Sequence, residues 1–500
     1  MKKKQPTTQS TKNSIATPYL YLALEQSFRE EIESGQLAAG ERMPSIRELC
    51  TARSISKSTV LTAYSRLEAE GLIEARARSG YFVVEPKQAA TSLKIPDTSQ
   101  PNLNPTPVSA SQVLLDIMQQ GAAFDLLAST RHDNGHGNEQ LRRSLGRALR
   151  RQGEYEQNYY DEPLGNHALR SQLAIRLGHG GGLHHAEDLI ITSGCQHALL
   201  LALMATTHRG GVVAVESPGF YGLFQLLESL GLQALEIPSS AQTGISPDAL
   251  ELALQHWDVQ ALVISPCYAT PTGACIPEVN KQRLLSITQK QNIPIIEDDI
   301  YGELHFGLQR PRTLYSYDES GNVLLCSSFS KSLSRDLRIG WIAPGKYMEE
   351  VKHLKLVTSL ATSQTLQQGL TEFLQQGGMD RHLRHQRQKL KQQCHHLLCS
   401  LPDLLPAVTS CSRPEGGLAL WAELPPTINS IELYVEAREK GVILTPGRLF
   451  TAQERYSNFL RISFAHELDS RRLASLSMIN DLIQSGTLSP AIIRSIKSSN

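Results

Sequence analysis

Five hundred residues, 40 % hydrophobic and 20 % charged, are too many for one ordinary domain and have a globular composition, which excludes a disordered or collagen-like chain. Lysine plus arginine and aspartate plus glutamate number 49 each, and the isoelectric point is near 7.3, so any nucleic-acid contact must be local. The basic N-terminus lacks a signal peptide's apolar core, no apolar run approaches the ~20 residues that span a membrane, and eight scattered cysteines without a CxxC pair read as reduced packing residues of a cytoplasmic protein.

A disordered tail is expected over 1–16. Tyr19 to Ser34 follows with an apolar stripe at Leu20, Leu24, Phe28 and Ile32, the period of an amphipathic helix. Pro44-Ser45 opens a short helix carrying Ile46 and Leu49. Ser56 caps a third, whose apolar face is Val60, Ala63, Tyr64 and Leu67. Leu72–Glu74 and Tyr81–Val84 then read as strands joined by Ala75–Gly80. Three helices and a hairpin over 17–85 are the order of a winged helix-turn-helix. Residues 86–112, rich in Pro, Ser, Thr, Asn and Gln, read as a flexible linker. From 113 to 500, short apolar runs at 189–191, 212–215, 261–264, 293–296 and 323–325 alternate with helical stretches such as Gln196 to Met204. That pattern predicts an α/β domain with a mostly parallel sheet, followed from about 388 by a small α+β subdomain.

In the head, Ser56-Lys57-Ser58-Thr59 sets hydroxyls and a cation at a helix N-terminus, where backbone N–H groups favour phosphate. Arg47, Arg76 and Arg78 can grip flanking backbone. The stretch from Gly35 to Val83 resembles the GntR-type winged helix-turn-helix almost throughout. That resemblance assigns DNA contacts to Arg47, Ser56, Lys57, Thr59 and the wing glycine Gly80, with lysine at 57 where arginine is more usual. The competing reading is a small helical interaction module, supported by Glu68, Glu70 and Glu74 near the proposed face.

In the body, Lys331 stands among hydroxyls in Ser327–Ser334, with Arg338 seven residues on: an amine able to condense with an aldehyde and a clamp for a phosphate. Thr192-Ser193-Gly194-Cys195 makes a strand, a glycine turn and a helix start whose free N–H groups can cradle phosphate. Asp298 ends a buried strand, where it can pair with a protonated ring nitrogen. Pyridoxal 5'-phosphate has all of these complements.

The body resembles a fold-type I aminotransferase. Joined to the GntR-type head, it is similar to the MocR subfamily of transcriptional regulators over nearly the whole chain. The resemblance implies pyridoxal 5'-phosphate attached at Lys331, Asp298 on the pyridine nitrogen and Tyr301 on the phenolic oxygen. Ser193, Gly194, Cys195, Ser328 and Arg338 would hold the phosphate, Cys195 through its backbone N–H. Phe220 would stack on the ring, and Arg461 would pair with an amino acid's carboxylate. Two positions depart from the family pattern. Thr270 replaces an asparagine, and Ser334-Arg335-Asp336 replaces a proline-glycine pair. A homodimer binding double-stranded operator DNA, with an amino acid or amine as effector, is expected. The alternatives are a working transaminase and a DNA-binding protein controlled by the cofactor alone. His184-His185 and His395-His396 read as solvated residues rather than metal ligands.

Overall fold

The computed structural model describes residues 20–38, 40–69, 72–76, 79–83, 93–108, 112–119, 125–127, 138–153, 160, 162–178 and 184–485. The chain divides into two units, Met1–Ala90 and Thr91–Asn500. The expected tail 1–16 lies outside the described residues.

The first unit contains α1 (Leu20–Glu33), α2 (Ile46–Ala52), α3 (Lys57–Ala69), β1 (Ile73–Arg76) and β2 (Gly80–Val83). Ser45 and Glu48 start α2 by a reciprocal cap: the Glu48 N–H donates to Ser45 Oγ at 3.2 Å, and the Ser45 N–H donates to Glu48 Oε2 at 2.8 Å. The α3 face expected from its period is fully buried, with Val60, Ala63, Tyr64 and Leu67 packed on Leu24, Phe28, Leu49 and Ile73. Tyr64 donates its hydroxyl to the Pro44 carbonyl at 2.6 Å. Leu20, assigned to the apolar stripe, is instead exposed at 67 %; it is the first residue of α1, and among the described residues it is not part of the head's core. The hairpin is tighter than expected. β1 runs on to Arg76, which pairs with Gly80 at the start of β2, and Gly80 adopts φ +99°, a conformation that favours glycine. The Gly40–Met43 segment, unassigned in the sequence, lies along β2: Met43 N donates to Tyr81 O at 2.8 Å and Val83 N to Glu41 O at 2.8 Å.

The second unit is built on a nine-stranded sheet. Its strands are β3 (Thr106–Pro107), β4 (Ile190–Thr192), β5 (Val212–Ser217), β6 (Gln233–Ser240), β7 (Gly244–Ile245), β8 (Val259–Ile264), β9 (Ile295–Asp298), β10 (Val323–Ser328) and β11 (Gly340–Ala343). The order is β3-β6-β5-β8-β9-β10-β11-β4, with β7 on β6. From β6 to β10 neighbours are parallel, and β11 runs against both β10 and β4. The central strands are valine-, isoleucine- and leucine-rich and buried along nearly their whole length, the pattern of strands covered on both faces. Asp298 and Ser328 end β9 and β10, and Ser193 follows β4, so the C-terminal ends of three like-directed strands converge on one region, where open α/β sheets bind ligands.

Two expectations change. Residues 86–112 are not a uniform linker, because 93–108 are bound to the body. Ser99 N donates to Ser239 O at 3.0 Å, Ser239 N to Ser99 Oγ at 2.8 Å, and Trp257 Nε1 to Leu103 O at 3.0 Å. Thr106 and Pro107 then pair with Ala234 and Gln233. This polar stretch builds no core of its own; it covers the edge of β6 and satisfies that strand's backbone. The small subdomain also has no boundary at 388, since one helix runs unbroken through Gly378–Leu404. Beyond it, β12 (Ser410–Cys411), β13 (Ala419–Glu423) and β14 (Phe459–Ser463) form an antiparallel sheet accompanied by helices Ser430–Glu439 and Ser470–Ser485.

Candidate cofactor and nucleic-acid sites

At the C-terminal ends of β9 and β10 a cavity of about 540 Å³ is lined by Cys195, Phe220, Thr270, Asp298, Tyr301, Ser328, Lys331 and Arg338, eight of the residues singled out in the sequence. Asp298 is buried, and burial raises its carboxyl to about 6, with Asp299 adding to the rise while the Cys195 thiol and Lys331 oppose it. Cys195 Sγ donates to Asp298 Oδ1 at 3.2 Å. This corrects the reading of Cys195 as a backbone contact only. Burial and the neighbouring Asp298 push its thiol well above the ordinary range, so it stays protonated and keeps donating.

Lys331 follows β10 in a loop tied at its base by Phe329 N donating to Ile339 O at 3.1 Å. Burial, then the charges of Arg335, Arg461 and Arg338, hold the Lys331 amine well below the usual ammonium range, against the pull of Asp298. A lysine so shifted gives up its proton more readily than an exposed one, and the neutral amine is its nucleophilic form.

Gly194 caps the helix Cys195–Thr206 at φ +91°, leaving that helix's first N–H groups for an anion. A Cβ on Gly194 would stand 2.8 Å from an Arg338 nitrogen, so glycine is needed both for the turn and for the close approach of the guanidinium. Arg338 Nη2 donates to Ser193 O at 3.3 Å, which places Ser193 and Gly194 beside the cavity residues. Ser328 Oγ accepts from Ser330 N at 3.2 Å. Burial raises the Tyr301 hydroxyl and the nearby Arg461 opposes the rise.

Arg461 is not among the lining residues. It is 3 % exposed, and its guanidinium lies 5.6 Å from the Tyr221 ring and 5.5 Å from the Phe450 ring, one side chain behind the cavity wall. Tyr221 and Arg335 are among the lining residues that the sequence reading does not call. Tyr221 carries no signal beyond following Phe220. Arg335, notable in the sequence only as a departure from the family loop, is a further cation of the cavity.

In the head, Arg47, Ser56 and Lys57 are exposed and Thr59 is half-buried. The Ser56 hydroxyl serves as the cap of α3, accepting from Thr59 N at 3.2 Å and lying 2.8 Å from the Ser58 and Thr59 hydroxyls. Gly80 stands at the hairpin turn beside Arg42, whose guanidinium a Cβ on Gly80 would meet at 3.5 Å; no sequence motif marks Arg42. The Arg76 side chain and Arg78 lie outside the described residues, as does Glu70. His395 has a sulfur neighbour that the sequence reading does not include, Cys399 at 3.6 Å. Among the described residues no three His, Cys, Asp or Glu side chains are grouped to hold a metal, and no helix is long and apolar enough to cross a membrane.

Residues 20–83 match the family of bacterial regulatory proteins, gntR family, and residues 129–474 match aminotransferase class I and II. An uncharacterized HTH-type transcriptional regulator of Escherichia coli K12, YjiR, is 35 % identical over 470 residues, covering 93 % of this chain and 99 % of its own length. The chain belongs to the MocR subfamily of GntR-type transcriptional regulators. A second E. coli regulator of the same description, YdcR, is 33 % identical over 468 residues, 93 % of this chain and 99 % of its own. Among solved structures, the regulator is similar to LysN, an α-aminoadipate aminotransferase of Thermus thermophilus complexed with N-(5'-phosphopyridoxyl)-L-leucine. The TM-score is 0.67 at 26 % identity, covering 76 % of this chain and 96 % of that one. The body therefore has the fold-type I aminotransferase architecture.

Proposed function

We propose that this regulator holds pyridoxal 5'-phosphate in the body's cavity and changes the DNA affinity of its winged head when an amino acid or amine enters. The observation that carries the reading is the joint placement of a Lys331 amine held below the ammonium range and a buried Asp298 carboxyl in one cavity. The donor set fits the cofactor: the Gly194 turn, a cradle that a Cβ would fill, lies against Arg338, and a helix N-terminus opens beside it. The similarity to a phosphopyridoxyl-bound structure supports the same reading.

When bound, the cofactor supplies an aldehyde for an amine and a ring nitrogen that, protonated, withdraws electrons. Lys331 is the amine of this chain that would attach it. Asp298 would keep the ring nitrogen protonated, Tyr301 and Thr270 would face the phenolic oxygen, Phe220 would lie on the ring, and Ser193, Gly194, Cys195 N–H, Ser328 and Arg338 would hold the phosphate. An amine-bearing effector would enter beside Lys331, where Arg335 and Arg461 would supply the positive charge that attracts an effector carboxylate. In the head, Arg47, Lys57, Thr59, Gly80 and the arginines of the hairpin would touch operator DNA, two heads of a homodimer reading two half-sites. The effector shifts DNA binding only by as much as it prefers one arrangement of the protein over another.

The test is operator affinity at fixed salt, with cofactor and a panel of amino acids and amines. At least one effector shifts the wild-type affinity several-fold, and none shifts Lys331→Ala. An unchanged wild-type affinity across the panel contradicts the reading. Sustained transamination in the same assay would favour the enzyme alternative, and a shift with cofactor alone the third.

A further inference from the structure

The hairpin of residues 266–276 carries Thr270 to the cavity, and its two stems meet at a pair of cysteines. Cys267 and Cys275 are partners across an antiparallel bridge. The flanking backbone bonds, Ile276 N to Pro266 O at 2.9 Å and Ala269 N to Ala274 O at 2.9 Å, leave the cysteines as a pair without backbone hydrogen bonds between them. Residues opposed in that way have Cα atoms about 4.5 Å apart with side chains close together, inside the range of roughly 4.4–6.8 Å that a disulfide spans. Each thiol is the foremost influence on the other's protonation: the buried Cys267 thiol is pushed up, and Cys275 is drawn down to about 7. Lys281, 1 % exposed, holds its ammonium 3.6 Å from Cys267 Sγ while donating to Arg312 O at 2.6 Å. Cys275 is only half-buried, so a small oxidant can reach it. Two thiols, a buried cation and one open approach make a reactive pair rather than two packing residues.

We propose that Cys267 and Cys275 form a redox modification site, oxidised by a hydroperoxide to an intramolecular disulfide that alters the neighbouring cavity through Thr270. The Cys275 thiolate attacks the peroxide oxygen, the O–O bond breaks, and hydroxide leaves to become water, which gives a sulfenic acid. Cys267 loses its proton and its sulfur displaces the sulfenic hydroxyl, which departs as the second water. Two thiols lose two electrons and one hydrogen peroxide is reduced to two waters. Drawing the sulfurs to about 2 Å changes the twist of a hairpin that has no slack. Tyr268 beside Cys267 already stands at φ +59°, strained for a residue with a side chain. At the tip, Gly273 lies so near Pro414 that a Cβ would meet it at 2.4 Å. Thr270, between these fixed points, moves with the stems.

The coupling to the cavity rests on the cofactor reading above; the disulfide does not. The full-length reduced protein, freed of cofactor, is treated with one equivalent of hydrogen peroxide, alkylated and digested. The peptide spanning both cysteines is expected two hydrogens lighter and unalkylated, and dithiothreitol reverses this. Cys275→Ser gives no such species. Alkylation of both residues after treatment, or bonding of either to another cysteine, overturns the site. Titration with pyridoxal 5'-phosphate, read by visible absorbance, is expected to give a several-fold weaker apparent Kd for the oxidised protein, restored by dithiothreitol. An unchanged Kd in a protein that has formed the disulfide overturns the coupling. Failure of the reduced protein to bind the cofactor would instead sink the cofactor reading and leave the disulfide result standing.

Discussion

Asp298 and Cys195 set the acid side of the cavity. The Asp298 carboxyl at about 6 stands above its ordinary 3.8, so in the cofactor-free protein it takes up its proton as pH falls through 6. Only its ionised form attracts a protonated ring nitrogen. Cofactor affinity should therefore fall below pH 6, by up to about tenfold per unit for a single linked proton. Removing a donor from a carboxylate raises its pKa, and Cys195→Ala removes the thiol that lowers this one, so the fall should begin at higher pH in that variant. Titrations with pyridoxal 5'-phosphate between about pH 5 and 8 measure both effects. Superimposable wild-type and Cys195→Ala profiles would contradict the role given to the thiol. The hydrogen bond joins residues 103 positions apart, and no local pattern around Cys195 encodes it. The placement of Lys331 and Asp298 in one cavity, with Gly194 against Arg338, is foreshadowed in the sequence because each sits in its own short motif. Arg335 is legible only as an oddity, since its place in the cavity depends on how the whole loop folds back on Ile339.

At the scale of elements, the head shows how much a short period reveals. The four apolar residues of α3 repeat at helical spacing and are all buried, and Ser56 caps the helix as its type predicts. The cap of α2 is a reciprocal pair, so Ser45→Ala loses one partner and weakens the other. The loss should destabilise the head by about 1 kcal/mol, seen as an earlier melting of the head in thermal denaturation, with the cofactor absorbance unchanged. A melting curve identical to wild type would show that the cap is not holding α2. β6 is not legible in the sequence, because Glu236 and Pro238 interrupt its apolar run. The structure explains the glutamate: it is fully buried, accepting from the Thr451 hydroxyl at 2.8 Å and the Ala452 N–H at 2.7 Å. The strip 93–108 reads as linker for a related reason, since composition reports whether a segment can make a core, not whether it can cover an existing edge.

Over the whole molecule, a net charge of zero makes DNA attraction a local matter, and in the head Arg47 and Lys57 are exposed. If both contact phosphate, Arg47→Ala and Lys57→Ala should each weaken operator and non-operator DNA alike and reduce the slope of log affinity against log salt by about 1. An unaltered slope in both would favour the interaction-module reading of the head. In the proposed function, the DNA-binding unit reports whether one amine, that of Lys331, is occupied. The most direct measurement is borohydride reduction of the cofactor-supplemented protein, followed by mass analysis of its peptides. A phosphopyridoxyl label on Lys331, absent from Lys331→Ala, is the predicted result. A colourless protein, or a label on another lysine such as Lys281 with none on Lys331, would contradict it.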